Sequence, residues 1–217
     1  MPTSERYIET LRHIADHLLA AFKDAGGTDL EAVVLGVELE RMRLILGFLR
    51  GTHEIRPKFP AWRTVRRGVY KTLDAYLAAM KAKGYRVGTY AGQILAKVVW
   101  AQEETEEEIV RVLDKDLGLA DPYTLDEILA AAAQFGLYRL AADVAAGLRE
   151  QYDDQPAGES CLVAMDPIAG SGRDVEVFSV GRSGGGVWLF TYYADPKFRF
   201  GLGNVWILSR RKPASTT

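Results

Sequence analysis

The hexapeptide Asp153-Asp154-Gln155-Pro156-Ala157-Gly158 divides the sequence into two parts of different character. It is polar and contains both proline and glycine, the residues that most strongly favour turns. Apolar residues recur at helical spacing before it, and that periodicity stops after it. We therefore expect an α+β protein with a helical region over 1–155, a β region over 156–212 and a flexible tail over 213–217.

The part after the hexapeptide predicts a small sheet. Four segments rich in valine and aromatic residues, which favour strands, are separated by segments that contain glycine. Arg182–Gly186 predicts a hairpin, and the short connections favour an antiparallel meander because parallel pairs need long crossovers. Both faces of this sheet are apolar, so we expect it to dock on the helices. The predicted strands cover 160–165, 174–181, 187–193 and 204–210.

The part before the hexapeptide predicts a bundle of about six helices. Three Thr-x-x-Glu patterns, beginning at Thr28, Thr105 and Thr124, are typical of the capping box that opens a helix. The fifth helix begins at Thr105 and is broken by Asp121-Pro122. Two short strands over 33–39 and 42–49 are an alternative to the second helix. The other predicted helices cover 4–25, 30–50, 62–83, 89–101 and 124–152.

The composition is that of an ordinary globular protein. The chain has 217 residues, of which 48% are hydrophobic and 26% charged, and its mean hydropathy is -0.07. No apolar run approaches the roughly 20 residues that a membrane-spanning helix needs. The single cysteine, Cys161, has no partner for an intramolecular disulfide, which favours a reducing compartment. We expect a cytoplasmic protein without a membrane partner.

Charge is unevenly distributed along the chain. Residues 41–99 contain 13 Lys/Arg and two acidic residues, a net charge of +11, whereas residues 100–159 contain four Lys/Arg and 15 acidic residues, a net charge of -11. A basic segment of this kind attracts nucleic acid or an acidic partner. The alternative is that the two segments fold against each other and neutralise.

The basic segment suggests nucleic acid as a partner. On the predicted third helix and the one after it, basic and aromatic side chains fall on one stripe that can follow a phosphate backbone. Our first hypothesis is therefore a non-catalytic binding or adaptor protein that engages nucleic acid through residues 41–97. The predicted contact residues are Arg63, Arg66, Arg67, Tyr70, Lys71, Lys81, Arg86 and Lys97.

The aromatic residues of the predicted sheet suggest a second hypothesis. Side chains alternate between the two faces of a strand, which predicts one aromatic face. Such a face needs a cover, either a protein partner, a second copy or a stacked ligand. The protein would then be an interaction module, such as an inhibitor or an assembly subunit. The predicted surface consists of Phe178, Trp188, Phe190, Tyr192 and Trp206.

Catalytic and metal-binding motifs are weak in this sequence. Gly181-Arg182-Ser183-Gly184-Gly185 matches G-x-S-x-G, but a strand follows it, and no histidine base comes later in the chain. Cys161 has no histidine in its region. His13 and His17 are one helical turn apart on the polar face of the first predicted helix, so we expect no metal and no cofactor. An enzyme whose site assembles only in three dimensions is the third hypothesis.

Overall fold

The computed structural model describes residues 58–172 and 174–211. The chain divides into two compact units after Pro57, and the described residues belong to the second, which begins at Lys58. The helices predicted over 4–25 and 30–50, and the alternative pair of strands, lie outside the described residues. So do the part of the basic segment before Lys58 and the predicted tail.

The described residues contain four α-helices, eight strands and one 3-10 helix, Asp114–Leu117. The helices are α1 Leu73–Ala82, α2 Thr89–Leu95, α3 Leu125–Ala133 and α4 Ala142–Gln151. The strands are β1 Arg63–Arg67, β2 Arg86–Val87, β3 Thr105–Leu113, β4 Ser160–Val163, β5 Ile168–Ala169, β6 Val175–Ser183, β7 Gly186–Tyr193 and β8 Val205–Ser209.

All eight strands belong to one mixed sheet. Its order is β1-β3-β8-β4-β6-β7-β2, with β5 paired to β6. The β4–β8 and β2–β7 pairs are parallel, and the other pairs are antiparallel. The prediction of a six-helix bundle followed by a four-stranded antiparallel sheet is therefore wrong. The four predicted strands exist as β4, β6, β7 and β8, but strands from both sides of residue 155 complete the sheet.

Two predicted helices are partly or wholly strands. Instead of a helix from Thr105, β3 runs through the acidic segment, and its apolar residues Ile109 and Val110 are buried on opposite faces. The predicted helix over 62–83 begins with β1, where Arg66 lies opposite Glu106 of β3. The charged groups of Arg66 and Glu106 are more than 4.0 Å apart, so this register brings opposite charges near each other without a salt bridge. A helix follows only from Leu73.

Local signals predict several helix ends correctly. The Thr124 hydroxyl accepts from the Glu127 N–H at 3.3 Å, and the Thr124 N–H donates to the Glu127 carboxylate at 2.6 Å, which confirms this capping box. Gly84, with φ of 69°, follows α1 as expected. The predicted helix over 124–152 is two helices, because Gly136, with φ of 68°, turns the chain after α3.

The polar 153–158 turn is fastened to the sheet. The buried side chain of Arg149 on α4 donates to the Gln155 side chain and to the Tyr152 carbonyl. Gln155 in turn donates to the Val180 carbonyl of β6 at 3.1 Å, and Arg182 donates to the Gln155 carbonyl at 2.9 Å. The turn therefore joins α4 to the sheet.

Helix α4 and the segment before α3 cover opposite faces of the sheet. Helix α4 contacts β1, β6 and β7, and its Gly147 lies against Val65, where an added Cβ would be 3.5 Å from the valine Cγ1. On the other face the Trp206 indole donates to the Tyr123 hydroxyl at 2.9 Å. The three central residues of β8, Trp206, Ile207 and Leu208, have no exposed surface.

A buried carboxylate, Asp114, fixes the 3-10 helix to β8. It accepts hydrogen bonds from the Tyr123 hydroxyl at 2.6 Å and from the N–H groups of Gly203 and Asn204 at 2.9 and 2.8 Å. Burial alone raises the pKa of a carboxyl group. Here the hydrogen bonds from Tyr123, Gly203, Asn204 and Lys115 outweigh burial and hold the pKa of Asp114 below its ordinary value.

We expect Asp114→Asn to lower the free energy of unfolding by about 2–3 kcal/mol at pH 7, because charge-assisted hydrogen bonds to a buried group are lost. The folded-state pKa lies below the unfolded value, so the carboxylate stabilises the fold above the unfolded pKa, near 3.9. This contribution is lost as the pH falls through the folded-state pKa. The gap between the wild type and the variant should therefore narrow below about pH 4.

Urea unfolding at pH 7, 4 and 3 measures this difference. Asp126→Asn is the control, since Asp126 is exposed in the first turn of α3. The control should change stability by less than about 1 kcal/mol. Equal stability of Asp114→Asn and the wild type at pH 7, or a gap that does not shrink in acid, would contradict the proposed role of this carboxylate.

Candidate functional site

An aromatic surface lies on the β7 side of the sheet. Trp188, Phe190 and Tyr192 alternate with Leu189 and Thr191 along β7 and therefore share one face. Leu189, on the opposite face, is fully buried. Phe198, from the segment after β7, packs edge-on against Tyr192 with 6.1 Å between ring centroids. We call Trp188, Phe190, Tyr192 and Phe198 the aromatic face.

A tight hairpin positions this face. Ser183 of β6 pairs with Gly186 of β7, which leaves Gly184 and Gly185 as the two loop residues. Their φ angles are 56° and 72°, and positive φ at both central positions is what a type I′ turn requires. The predicted hairpin is confirmed. The G-x-S-x-G letters therefore lie in a strand-to-strand turn, whereas a nucleophile elbow leads from a strand into a helix.

The first part of the aromatic face is a closed stack. The Trp188 and Phe190 rings lie 4.9 Å apart between centroids with planes inclined by 11°. The Arg86 guanidinium carbon lies 5.1 Å from the Trp188 centroid, and the Trp188 N–H donates to the Ser183 carbonyl at 3.2 Å. The indole is thus engaged by Arg86, Phe190 and its own backbone.

Glycines make room for these rings. A Cβ at Gly186 would be 2.8 Å from the Trp188 indole nitrogen, and one at Gly88 would be 3.3 Å from the Phe190 ring. A Cβ at Gly181 would be 3.5 Å from the same Phe190 ring. The first of these distances is closer than van der Waals contact allows. The bare backbone at Gly186 therefore sets how closely the indole approaches the sheet.

The second part of the aromatic face is more exposed. Tyr192 stacks on Phe200 with 5.7 Å between centroids, and Tyr193 meets Phe198 edge-on at 5.2 Å. Tyr192 is 42% exposed and Tyr193 40%. Phe198 and Phe200 were not predicted as site residues, because they lie in a connection without strand or helix periodicity. The aromatic residues at 198 and 200, directly after the Tyr192-Tyr193 pair, are the signal that points to them.

Two residues of the predicted aromatic surface are not available to a partner. Trp206 pairs with Leu162, Leu162 pairs with Ser179, and Ser179 pairs with Phe190, so Trp206 and Phe190 lie on the same face of the sheet. Trp206 is nevertheless fully buried. Phe178 is also fully buried and lies on the opposite face, because it pairs with Thr191. Each pair in this hairpin joins an odd-numbered residue to an even-numbered one. A residue of β6 and a residue of β7 whose numbers are both even, or both odd, therefore lie on opposite faces of the sheet.

Several cations of the basic segment pair with the acidic segment. Arg63 contacts the Asp154 carboxylate at 2.5 Å, and Arg67 contacts Asp143 at 2.8 Å. The ammonium of Lys83 lies 2.7 Å from Glu150 and 3.1 Å from Asp153. These pairs hold β1 and the end of α1 against α4 and the turn after it. The basic and acidic segments therefore neutralise each other in part within the fold.

The other predicted nucleic-acid contacts are spread over several elements. Lys71 donates to the Gln102 carbonyl, and Lys97 donates to the carbonyls of Ala169 and Gly170 at 2.6 and 2.8 Å. Burial, then the neighbouring Glu150 carboxylate, raises the pKa of Tyr70 to about 12. Arg66 on β1 and Lys81 on α1 are exposed, and neither has a carboxylate within 4.0 Å among the described residues. The predicted single helical stripe does not form.

Reactive groups are sparse in the described part of the chain. Cys161 is fully buried, and burial, followed by the nearby Glu159 charge, raises the pKa of its thiol to about 12. Within residues 58–172 and 174–211, no group of three or more His, Cys, Asp or Glu side chains is arranged to hold a metal ion. His13, His17 and His53 lie outside the described residues.

The chain matches no protein-family model, no curated protein and no solved structure. No helix in the described ranges is long and apolar enough to cross a membrane.

We expect Gly186→Ala to displace the Trp188 indole, because the new methyl group would lie 2.8 Å from its nitrogen. Stability should fall by about 1–3 kcal/mol, as for other overpacked sites. Near-ultraviolet circular dichroism and tryptophan fluorescence would report the movement. Gly172→Ala is the control, since a Cβ there meets nothing within 4 Å. Identical spectra for Gly186→Ala and the wild type would show that the indole is not held against the backbone.

Proposed function

We propose that the protein is a non-catalytic binding protein whose aromatic face packs against another protein. The observation that supports this proposal is the Arg86–Trp188–Phe190 cluster, in which Phe190 stacks on the indole and the Arg86 guanidinium carbon lies 5.1 Å from the indole centroid. Ligands such as nucleic-acid bases stack on open ring faces. Ring edges instead contact aliphatic and aromatic side chains, and aromatic residues provide much of the binding energy at protein interfaces.

The partner that the charge pattern suits best is a second copy of the chain. The Arg86 guanidinium lies over Trp188 near the hairpin end of β7. At the other end of the strand, Asp195 comes two residues after Tyr193, and Asp174 directly precedes β6, whose first residues pair with the end of β7. A two-fold axis through the aromatic face would place the cationic end of one copy against the acidic end of the other. Two sheets stacked face to face at about 10 Å can bury such side chains between them.

Two further parts of the proposal come from the sequence. The reducing, cytoplasmic location remains a prediction from the single cysteine. An enzymatic role is the less favoured alternative, since the one cysteine thiol is fully buried and its pKa is raised to about 12. A thiol in that state is a poor nucleophile at neutral pH. The proposal therefore assigns the described unit to recognition.

The test of self-association compares two exposed tyrosines. We expect sedimentation velocity to show a monomer–dimer equilibrium with a dissociation constant between about 1 and 100 μM, the range of a modest interface. Tyr192→Ser should weaken it at least about tenfold, because a central aromatic contact is removed. Tyr90→Ser is the matched control, since Tyr90 is 62% exposed on α2, outside the aromatic face. A wild type that stays monomeric up to about 1 mM, or equal effects of both variants, would contradict self-association.

Nucleic-acid binding through residues 41–97 remains the second candidate. It is favoured by the exposed cations Arg66 and Lys81, which have no carboxylate within 4.0 Å in the described part of the chain. If it is correct, affinity for a fluorescent 20-nucleotide oligo(dT) should fall steeply between 50 and 200 mM salt, by about tenfold for two phosphate contacts. Replacing Arg66 and Lys81 by Gln should flatten that dependence. Absent binding, or binding that salt does not change, would reject this candidate.

A further inference from the structure

A cleft of about 480 Å³ lies at the opposite end of the sheet from the aromatic face. It is formed where the chain enters β1, beside β3 and the 3-10 helix. Its volume is in the range of small-molecule sites, which are mostly apolar with a few polar groups. The lining residues are Lys58, Phe59, Pro60, Ala61, Trp62, Arg111 and Asp116.

The apolar walls of the cleft are held in place by neighbouring rings. Phe59 meets Phe135 edge-on, with 5.2 Å between centroids, and Trp62 meets Tyr152 edge-on at 5.0 Å. The backbone N–H of Trp62 donates to the Ile109 carbonyl of β3 at 2.8 Å. Both rings are thus fixed from outside the cleft. Phe59 keeps only 9% of its surface exposed, and Trp62, which is half-buried, has the guanidinium carbons of Arg63 and Arg111 5.0 and 5.9 Å from its centroid.

Arg111 supplies hydrogen-bond donors beside these rings. One of its terminal nitrogens, Nη2, contacts the Glu159 carboxylate at 2.5 Å, and the other Glu159 oxygen accepts from the Tyr152 hydroxyl at 2.5 Å. No acceptor within the described ranges takes a hydrogen bond from Nε or Nη1 of Arg111. A guanidinium has five N–H donors, so this one keeps donors for a ligand.

Lys58 brings a second cation to the cleft. Its ammonium donates to the Asp116 carbonyl at 2.6 Å and lies 4.6 Å from the centroid of Phe135. No carboxylate lies within 4.0 Å of it among the residues described. Asp116 sits on the 3-10 helix that the Asp114 network fixes to β8, so the carbonyl that positions Lys58 is itself well anchored.

We propose that this cleft binds a small aromatic carboxylate. The ring would lie against Phe59 and Trp62, and the carboxylate would face Arg111 and Lys58. A guanidinium recognises a planar carboxylate through paired, charge-assisted hydrogen bonds. Glu159 compensates Arg111, whereas Lys58 has no carboxylate within 4.0 Å among the described residues, so one cation is left unpaired and the site suits a single negative charge better than several. The proposal is independent of the aromatic face, which lies at the other end of the sheet.

The first test compares two ligands of nearly the same shape. Isothermal titration calorimetry with indole-3-acetate should show binding at least about tenfold tighter than with indole-3-acetamide, which lacks the charge. The two probes share the indole ring, so the difference measures the contribution of the cations. Equal affinities for the acid and the amide, or no saturable binding of indole-3-acetate up to about 10 mM, would overturn the proposal.

The second test locates the site. Lys58→Met keeps the aliphatic stem but removes the charge, and should weaken indole-3-acetate about fivefold or more while leaving indole-3-acetamide unchanged. Lys115→Met is the matched control, because Lys115 is an exposed lysine of the 3-10 helix that does not line the cleft. Arg111→Lys should also weaken the acid, since paired donors are lost. If Lys115→Met weakens indole-3-acetate as much as Lys58→Met, binding follows overall charge and the cleft is not the site.

Discussion

The pairing of β8 between β3 and β4 is the constraint on which the described fold depends. This last strand forms five antiparallel pairs with β3 and two parallel pairs with β4. Without it, β1 and β3 would be separated from β4, β6, β7 and β2. The sheet therefore cannot be completed until β8 is in place. Such long-range pairing is expected to make folding slow and cooperative.

The same strand connects both proposed sites. The Trp206 indole of β8 donates to the Tyr123 hydroxyl, which donates to the Asp114 carboxylate, and that carboxylate anchors the 3-10 helix beside the cleft. Phe200 also meets Trp206 edge-on, at 5.1 Å between centroids, and stacks on Tyr192 of the aromatic face. One buried indole thus supports the two surfaces, although they lie at opposite ends of the sheet.

Features set by neighbouring residues could be predicted from the sequence, and features set by distant pairing could not. The Gly184-Gly185 hairpin and the Thr124 capping box follow from residues at most three positions apart. The segment that forms β3 contains a Thr-x-x-Glu pattern, which predicted a helix. It forms a strand because it pairs with β8, about a hundred positions later in the chain. The acidic partners of Arg63 and Arg67 are equally remote, and their pairing was left open by the sequence. Phe178 was misplaced because alternation gives the faces of one strand and does not give the register between strands.

The central claim is that the aromatic face is where a second copy binds. Hydroxyl-radical footprinting across a protein concentration series tests it most directly, because it reports the solvent exposure of individual side chains. We expect oxidation of Trp188, Phe190 and Tyr192 to fall as concentration rises, while oxidation of Trp62 and Phe59, at the other end of the sheet, stays constant. Protection confined to Trp62 and Phe59, or no concentration-dependent protection of the aromatic face, would contradict it.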